Sequence, residues 1–462
     1  MKKSLLYYLL SGVLILSLIS GCKKHETTKE EQIPAETIAT NKWIFEQMNL
    51  YYLWNDKIPT TIDNTKEKDP EAYFYKLIYA DLDKWSYITS DYASLKSELN
   101  GDPVTMGYHP AFYLIGPNTV MIVVCYVYPG SAADQAGLKR GDIILSIDNT
   151  MLDTTNYYTK YTGKSYTVQL ASITGHTVDF NGKSLSLTAK TTATDPSIYH
   201  KVIDIDGHKI GYLVYVEFIS GSNDAYLARL DSIFGAFKDE GISDLVVDLR
   251  YNPGGEIDAA VHLASIIAPA SVGANTSTLI NLQYNNDLRQ YFIQNNLQNY
   301  LYYKFESAAA NINMSHVYFL TTSRSASASE LLIIGLKPYM TVVQVGEPTY
   351  GKYCGSWVIP DDNEKWAMMP IVMKFSNANG FTDFVNGLTP DYEIEDDVTS
   401  AVPFGDITDP MLAKVLQVAT GKSFEARKAP AAGLKYFRQI VPVEMRRKEG
   451  LIFGKTNPVI EK

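Results

Sequence analysis

Apolar positions change their rhythm along this chain, and each change predicts a different kind of structure. Behind Lys2 and Lys3, residues 5–19 are an almost unbroken apolar run, too short for a comfortable membrane span. Residues 41–100 read as helical. Ile44, Met48, Tyr51 and Tyr52 fall on one face, and Asp69-Pro70-Glu71 is a helix start with a cap, a proline in the first turn and a favourable charge. Phe74, Leu77 and Ile78 give that second helix its apolar side, so this region is expected to form a small helical cap on the domain that follows. Residues 101–192 read as short strands and turns, with a buried strand at 120–127 holding Cys125, and a short helix from Ser131 to the stop at Gly137. A turn at 139–142 then leads into a strand at 143–147. From residue 197 strands (209–216, 244–249, 317–320, 342–345) alternate with helices (223–239, 256–267, 328–336), which predicts a mostly parallel sheet covered by helices. Residues 275–307, polar and rich in Asn and Tyr, read as a surface or lid insertion, and 423–462 carry no strong pattern.

Composition narrows the class. A chain of 462 residues with 46% hydrophobic and 20% charged positions has room for two or three globular domains and does not look disordered. A formal charge of −10 argues against nucleic acid as a partner, since phosphate binding needs a basic footprint. The 33 tyrosines could serve a peptide-binding surface, although a tyrosine-rich core with wet edges is the plainer reading. The apolar run ends Ile19-Ser20-Gly21-Cys22, which resembles the bacterial lipoprotein signal; an uncleaved anchor or an ordinary signal peptide is the alternative. The resemblance implies a signal peptide over 1–22, acylation of Cys22, a tether over 23–40, and a membrane partner in the cell envelope reached through the lipid. Cys125 and Cys354 would then be the remaining thiols, too few for a disulfide framework. Nothing spaces His, Cys or carboxylates as metal ligands, so neither metal nor organic cofactor is expected.

Two segments have the texture of a reaction site. Asp248-Leu249-Arg250-Tyr251-Asn252-Pro253-Gly254-Gly255 leaves a strand for a helix, and adjacent glycines there can turn amide groups into a cleft. Such amides suit a developing oxyanion, although most Gly-Gly turns are only turns. Ser323-Arg324-Ser325-Ala326-Ser327-Ala328-Ser329-Glu330 puts serines at a helix N-terminus, where capping is the ordinary role of any one of them. No histidine is placed for a standard triad. A lysine kept neutral by burial can replace it, and Gly351-Lys352 can return to the same sheet end after the strand at 342–345.

Two resemblances organise these fragments. Pro129-Gly130-Ser131-Ala132-Ala133, with Ala136-Gly137-Leu138-Lys139-Arg140-Gly141-Asp142-Ile143-Ile144, closely resembles the PDZ domains of bacterial proteases. It implies a domain over 101–192 that takes a peptide by strand addition, with a carboxylate-holding loop near Met106-Gly107-Tyr108. The second helix expected beside that groove is poorly written in the Tyr-rich residues 154–162, so a structural or regulatory PDZ stands beside a substrate-gripping one. The second resemblance rests on 248–255, on Ser325-Ala326-Ser327-Ala328-Ser329-Glu330, on Gly346-Glu347-Pro348-Thr349-Tyr350-Gly351-Lys352 and on Thr389-Pro390-Asp391. In that order they look like the signature blocks of the carboxyl-terminal processing (tail-specific) serine proteases.

That second resemblance implies an α/β fold: a crotonase/ClpP-like protease core over 197–422, with the PDZ domain, a small N-terminal helical segment over 41–100 and a tail over 423–462. It also implies the roles. Ser327 is the nucleophile by its spacing from the base Lys352, and Ala328 with Gly254 or Gly255 forms the oxyanion hole. Many members carry a glutamine four residues after the lysine; here Ser356 stands there. Either Ser356 orients the amine through a water, or another residue does, or a bare Ser/Lys dyad suffices. The expected activity is hydrolysis of exported proteins or peptides near their C-termini through an acyl-serine. The rival is a catalytically silent peptide-binding lipoprotein built on the same folds, which Ser356 favours and the intact Ser327, Lys352 and glycine block oppose. A different acyl-transfer enzyme on the same core is a third reading, opposed by the Ser and Lys blocks.

Overall fold

The computed structural model describes residues 32–175, 177–382, 384–427, 437–442 and 452–453. The lipoprotein-like signal and Cys22 lie outside the described residues. The N-terminal region folds as helices Ala35–Tyr51, Pro70–Leu77 and Tyr92–Leu99. The Asp69 carboxylate accepts the N–H groups of Glu71 and Ala72 with Pro70 in the first turn, as its spacing predicts. Buried Ile44, Met48, Tyr52 and Phe74 join one apolar cluster with Leu213, Val247 and Leu331. The apolar core of the segment therefore joins the distant α/β part of the chain, whereas a cap on the domain that follows was expected; no residue of 101–192 belongs to that cluster among the described residues. Tyr87–Thr89 adds a strand to Ala367–Met369, a pairing no local pattern announces.

The next unit is a sheet of Tyr108–Ile115, Thr119–Val127, Ile143–Ile147, Ser165–Thr174 and Thr177–Thr188, with Phe437–Ile440 added at its Tyr108–Ile115 edge. Ser131 Oγ accepts the Asp134 N–H at 3.2 Å to cap the helix Ala132–Ala136, and Gly137 stops it in the left-handed region at φ 87°. The weakly written second helix is a single turn, Tyr157–Tyr161.

The α/β part holds a six-stranded sheet in the order Tyr199–Ile205, His208–Val214, Asp244–Asp248, His316–Thr321, Thr341–Gly346, Tyr392–Glu393. After an antiparallel first pair every neighbour is parallel, and Val246 faces Tyr318 while Tyr318 faces Val343. Helices Ala225–Glu240, Ile257–Ile267 and Ala328–Leu336 cover it; the last is buried along its whole length. Crossovers of this kind align the C-terminal ends of Asp244–Asp248, His316–Thr321 and Thr341–Gly346, so the three suspected blocks emerge at one edge of one sheet. A buried Arg250 holds the first block in place: its guanidinium meets Asp248, Asp409 at 2.9 Å and Asp396 at 3.0 Å.

Residues 275–307 depart from the sequence expectation. Thr278–Tyr284 is a strand of a second six-stranded sheet, paired with Ile371–Asn377, and Leu279 and Ile280 are buried. The polar appearance of the region comes from one solvent-facing side of a strand and the helix Asn286–Gln294 after it. That second sheet also contains Gly255–Glu256, Ile452–Phe453 and Cys354–Ser356, in that order.

Candidate active site

Ser327 is the residue before the helix Ala328–Leu336, and its backbone sits at φ 64°, ψ −108°. A non-glycine residue held there stores on the order of 1–3 kcal/mol of strain, which persists only where the surroundings enforce it. The neighbouring serines show what enforces it. Ser325 Oγ donates to Leu249 O at 2.7 Å and Ser329 Oγ donates to Asn252 O at 3.0 Å, tying both to the glycine block. The Ser327 hydroxyl, fully buried between them, has no hydrogen-bond partner among the described residues. Of three serines in alternation, the outer two hold the backbone and the middle one is left with its hydroxyl unspent.

Glu330 links this turn to the lysine segment. Its Oε2 accepts the backbone N–H groups of Ser327 (2.7 Å) and Lys352 (2.9 Å). Its Oε1 accepts the Gly351 N–H and the Thr349 hydroxyl, both at 2.6 Å. Burial raises the carboxyl to about 7, while the four donated bonds pull the other way. Glu330 stands within the serine block of the sequence without an expected role. Its signal was the Ser-x-x-Glu spacing of a capping box, whose glutamate is ordinarily a helix-end device.

Lys352 is fully buried, and burial lowers its amine to about 8; Cys354, Asp83 and Glu330 oppose that effect. Its Nζ lies 5.9 Å from the centre of the Trp85 ring. The turn carrying Trp85 is built by Asp83, whose Oδ1 accepts the Trp85 and Ser86 N–H groups at 2.9 Å each. Ser86 Oγ in turn accepts the Ile371 N–H at 2.9 Å. The N-terminal segment therefore walls the lysine pocket, a contribution no local motif revealed. Cys354 is buried with its thiol pushed up by burial, as a packed residue would be. Ser356 is buried on the strand Cys354–Ser356, and its hydroxyl has no partner among the described residues.

The glycine block closes over the serine. A Cβ on Gly254 would fall 2.8 Å from Ser327 Cβ and 3.1 Å from the Ala328 N, and its φ of 114° admits glycine in preference to other residues. The Gly254 N–H donates to Asn252 Oδ1 at 2.9 Å. Phe218 donates its N–H to Gly254 O and accepts the Glu256 N–H, so the Gly255 amide and carbonyl face the opposite edge, where Ile452 is its ladder partner. Ala328, first in its helix, has an N–H with no intrahelical acceptor.

Gly107 lies against Ser131, at a φ of 83°. Its N–H donates to Thr105 Oγ1 at 3.1 Å and its carbonyl accepts the Tyr128 N–H at 2.9 Å, while Met106 O accepts the Ala133 N–H. Tyr108 begins the edge strand, its hydroxyl 2.9 Å from that of Tyr166. A cavity of about 770 Å³ opens beside this loop, lined by Met106, Tyr108, Tyr161 and Arg324 and reaching Pro253 and Ala326. It thus connects the 106–108 loop with the neighbours of Gly254 and Ser327.

Residues 209–394 match Peptidase family S41, residues 39–87 the Peptidase S41 N-terminal domain, and residues 123–162 a PDZ domain. A crystal structure of a Bacteroides fragilis chain assigned to the S41 proteases is 27% identical, superposes with a TM-score of 0.69, and covers 82% of this chain and 97% of its own. The carboxyl-terminal-processing protease of a Picosynechococcus strain is 25% identical over 269 residues, 56% of this chain and 57% of that one. Carboxyl-terminal-processing peptidase 2, chloroplastic, of Arabidopsis thaliana is 25% identical over 263 residues, 55% of this chain and 45% of that one. The chain spans about half the length of the curated relatives it matches.

Proposed function

Since the chain belongs to peptidase family S41, with that family's N-terminal domain and a PDZ domain, we propose that it is a serine endopeptidase acting through Ser327 and Lys352. The observation that carries this reading is the unspent, buried Ser327 hydroxyl, on a backbone bound through Glu330 to that of a buried lysine. In this reading the neutral Lys352 amine takes the Ser327 proton as Oγ attacks a peptide carbonyl. The same proton then passes to the leaving amine, and water hydrolyses the acyl-serine by the reverse proton path. The Ala328 amide is the first donor to the oxyanion. The second donor comes from the glycine pair: Gly254, whose N–H now donates to Asn252 Oδ1, or Gly255, whose N–H faces the Ile452 strand. Ser356, with its hydroxyl unpartnered, retains a role at the lysine through water. A serine-directed fluorophosphonate tests the reading: it should label the chain and fail on Ser327→Ala. A chain that takes no label, or takes it equally after that substitution, contradicts it.

The substrates we propose are exported proteins or peptides, cut near their C-termini; the names of the carboxyl-terminal-processing relatives and the PDZ match support this. Sequencing of new C-termini in cells carrying the wild-type or the Ser327→Ala chain tests it. We further propose an envelope location through acylation of Cys22, supported by the Lys2-Lys3, apolar, Ser20-Gly21-Cys22 order. Labelling with a fatty-acid analogue that persists on Cys22→Ala would contradict that.

A further inference from the structure

Two short stretches late in the chain lie where a peptide would lie. The first is Phe437–Ile440, antiparallel to the edge strand Tyr108–Ile115: Phe437 pairs with Ile115, Arg438 with Leu114, Gln439 with Tyr113 and Ile440 with Phe112. Its direction matters. The residue numbers rise as the strand advances from Ile115 towards Gly107, the polarity of a peptide whose C-terminal end points at the loop after Thr105. Its side chains are also placed as a ligand's would be. Ile440 packs on the cluster that holds Tyr108 and Phe112, as do Tyr157 and Tyr161 of the single-turn helix, while Arg438 and Gln439 stay exposed. Strand addition at a PDZ edge, with alternate residues read by the groove, is the general mode of peptide capture by such domains.

The second stretch is Ile452–Phe453. It enters the second sheet between two strands that belong to the reaction site: Gly255–Glu256, just after the glycine block, and Cys354–Ser356, just after Lys352. Ile452 pairs with the Gly255 backbone on the edge turned away from Phe218, and Phe453 pairs with Ser356. The Phe453 ring is buried with Leu95, Ala367 and Met369. On one side of this strand is the glycine block, on the other the strand of the unpartnered Ser356 hydroxyl. Ser327 and Lys352 are fully buried in the same structure, whereas the cavity's described lining includes their neighbours Ala326 and Tyr350.

We propose that Phe437–Ile440 and Ile452–Phe453 are a built-in competitor for peptide substrate, filling the PDZ edge and the slot between Gly255 and Ser356 until a substrate segment displaces them. This rests on the protease reading above for the word substrate, but the occupancy itself does not need catalysis. The occupant defines the peptide class that displaces it: an extended segment with an aliphatic residue for the Tyr108–Phe112 groove and an aromatic one for the Leu95–Met369 pocket. Strand exchange is feasible because both strands are short and each is held by few ladder bonds, so the competitor can open locally without unfolding the core.

Two experiments on the full chain decide it. The first uses a fluorescent synthetic peptide with the sequence of residues 434–456 and reads binding in a Ser327→Ala background, so that turnover plays no part. Gln439→Pro removes a strand N–H and Phe453→Asp unseats the ring. The double variant should bind the peptide at least tenfold more tightly than the parent. A double variant with native-like melting that binds no better overturns the proposal. The second places cysteines at the paired positions Arg438 and Leu114, whose Cα separation in an antiparallel ladder of about 4.5–5.5 Å is within disulfide reach. Oxidation should suppress cleavage of an unfolded protein at least fivefold, and dithiothreitol should restore it. Equal turnover in the oxidised and reduced forms overturns the proposal. Expected peptide binding with no turnover in any chain would count against the protease reading and leave the occupancy standing.

Discussion

Ser327 and Lys352 donate their backbone N–H groups to the same oxygen, Oε2 of Glu330, at 2.7 and 2.9 Å. One carboxylate thus fixes two segments separated in sequence, which a backbone bond from the Tyr350 N–H to Ser325 O also joins at 3.0 Å. The strained turn at Ser327 and the approach of Lys352 to the sheet end are settled together, which is the kind of preorganisation that the proposed catalytic geometry requires.

Glu330→Gln should separate this positioning role from a role in proton transfer. The amide keeps one acceptor but turns an NH₂ towards two of the four donors, leaving buried N–H groups opposed by another donor. A loss of about 1–3 kcal/mol in stability is expected, together with a fall of about tenfold or more in the rate of Ser327 acylation. The pH midpoint of the remaining activity should move only slightly, and downward, because the Glu330 charge is the smallest of the three influences that hold the Lys352 amine up against burial. Thermal melts and stopped-flow acylation give both quantities.

Gly254→Ala tests the fit of the glycine block over the serine. The new methyl would stand 2.8 Å from Ser327 Cβ at a φ of 114°, so either the turn or the serine must shift. A displacement of this size near reacting atoms costs on the order of a hundredfold in rate. The expected outcome is a fall in kcat with the PDZ region's peptide affinity unchanged, measured by turnover and by anisotropy on the same preparation.

Lys352 should cost stability where it is charged. Its folded value is lowered from 10.5 to about 8 by burial. Between those values the unfolded chain binds a proton that the folded chain does not, so stability rises with pH over that window. Below about 8 the full penalty is present, on the order of 3 kcal/mol from the size of the shift. Lys352→Met should therefore melt higher than wild type at pH 7, and the gap should close by about pH 10.5. A gap that is the same at both pH values would show that the methionine acts through packing alone.

Much of the fold was legible because local rules and the global fold agree. The Asp69-Pro70 start, the Ser131 cap with Gly137 and the helix Ala328–Leu336 lie where spacing alone puts them. The three blocks were legible as candidates for the same reason: each leaves a strand of a parallel sheet. What was not legible depends on tertiary partners. Thr278–Tyr284 reads as polar because only alternate residues face the core. Phe437–Ile440 and Ile452–Phe453 have too few residues to show a period, and their pairing is with strands far away in the sequence. Trp85 carries no sign of a lysine pocket until the turn set by Asp83 brings its ring to within 5.9 Å of Lys352 Nζ. Only the family spacing sets Ser327 apart from Ser325 and Ser329 in the sequence; in the structure the outer two hydroxyls are bound to the Leu249 and Asn252 carbonyls, a difference that no local pattern shows.

The central claim is that a buried, neutral Lys352 activates Ser327. The measurement that tests it most directly is kcat/KM for an unfolded protein substrate from pH 6 to 10, for the wild-type, Ser327→Ala and Lys352→Met chains. An amine lowered to about 8 must lose its proton before it can accept one, so wild-type activity should rise about tenfold per pH unit below that value and level off above it. Both variants should be at least about a thousandfold slower across the range, and combining them should cost little more, since the two residues act as one unit. Robust turnover by Lys352→Met at neutral pH, with the wild-type rise intact, would show that another group takes the proton and would contradict the account.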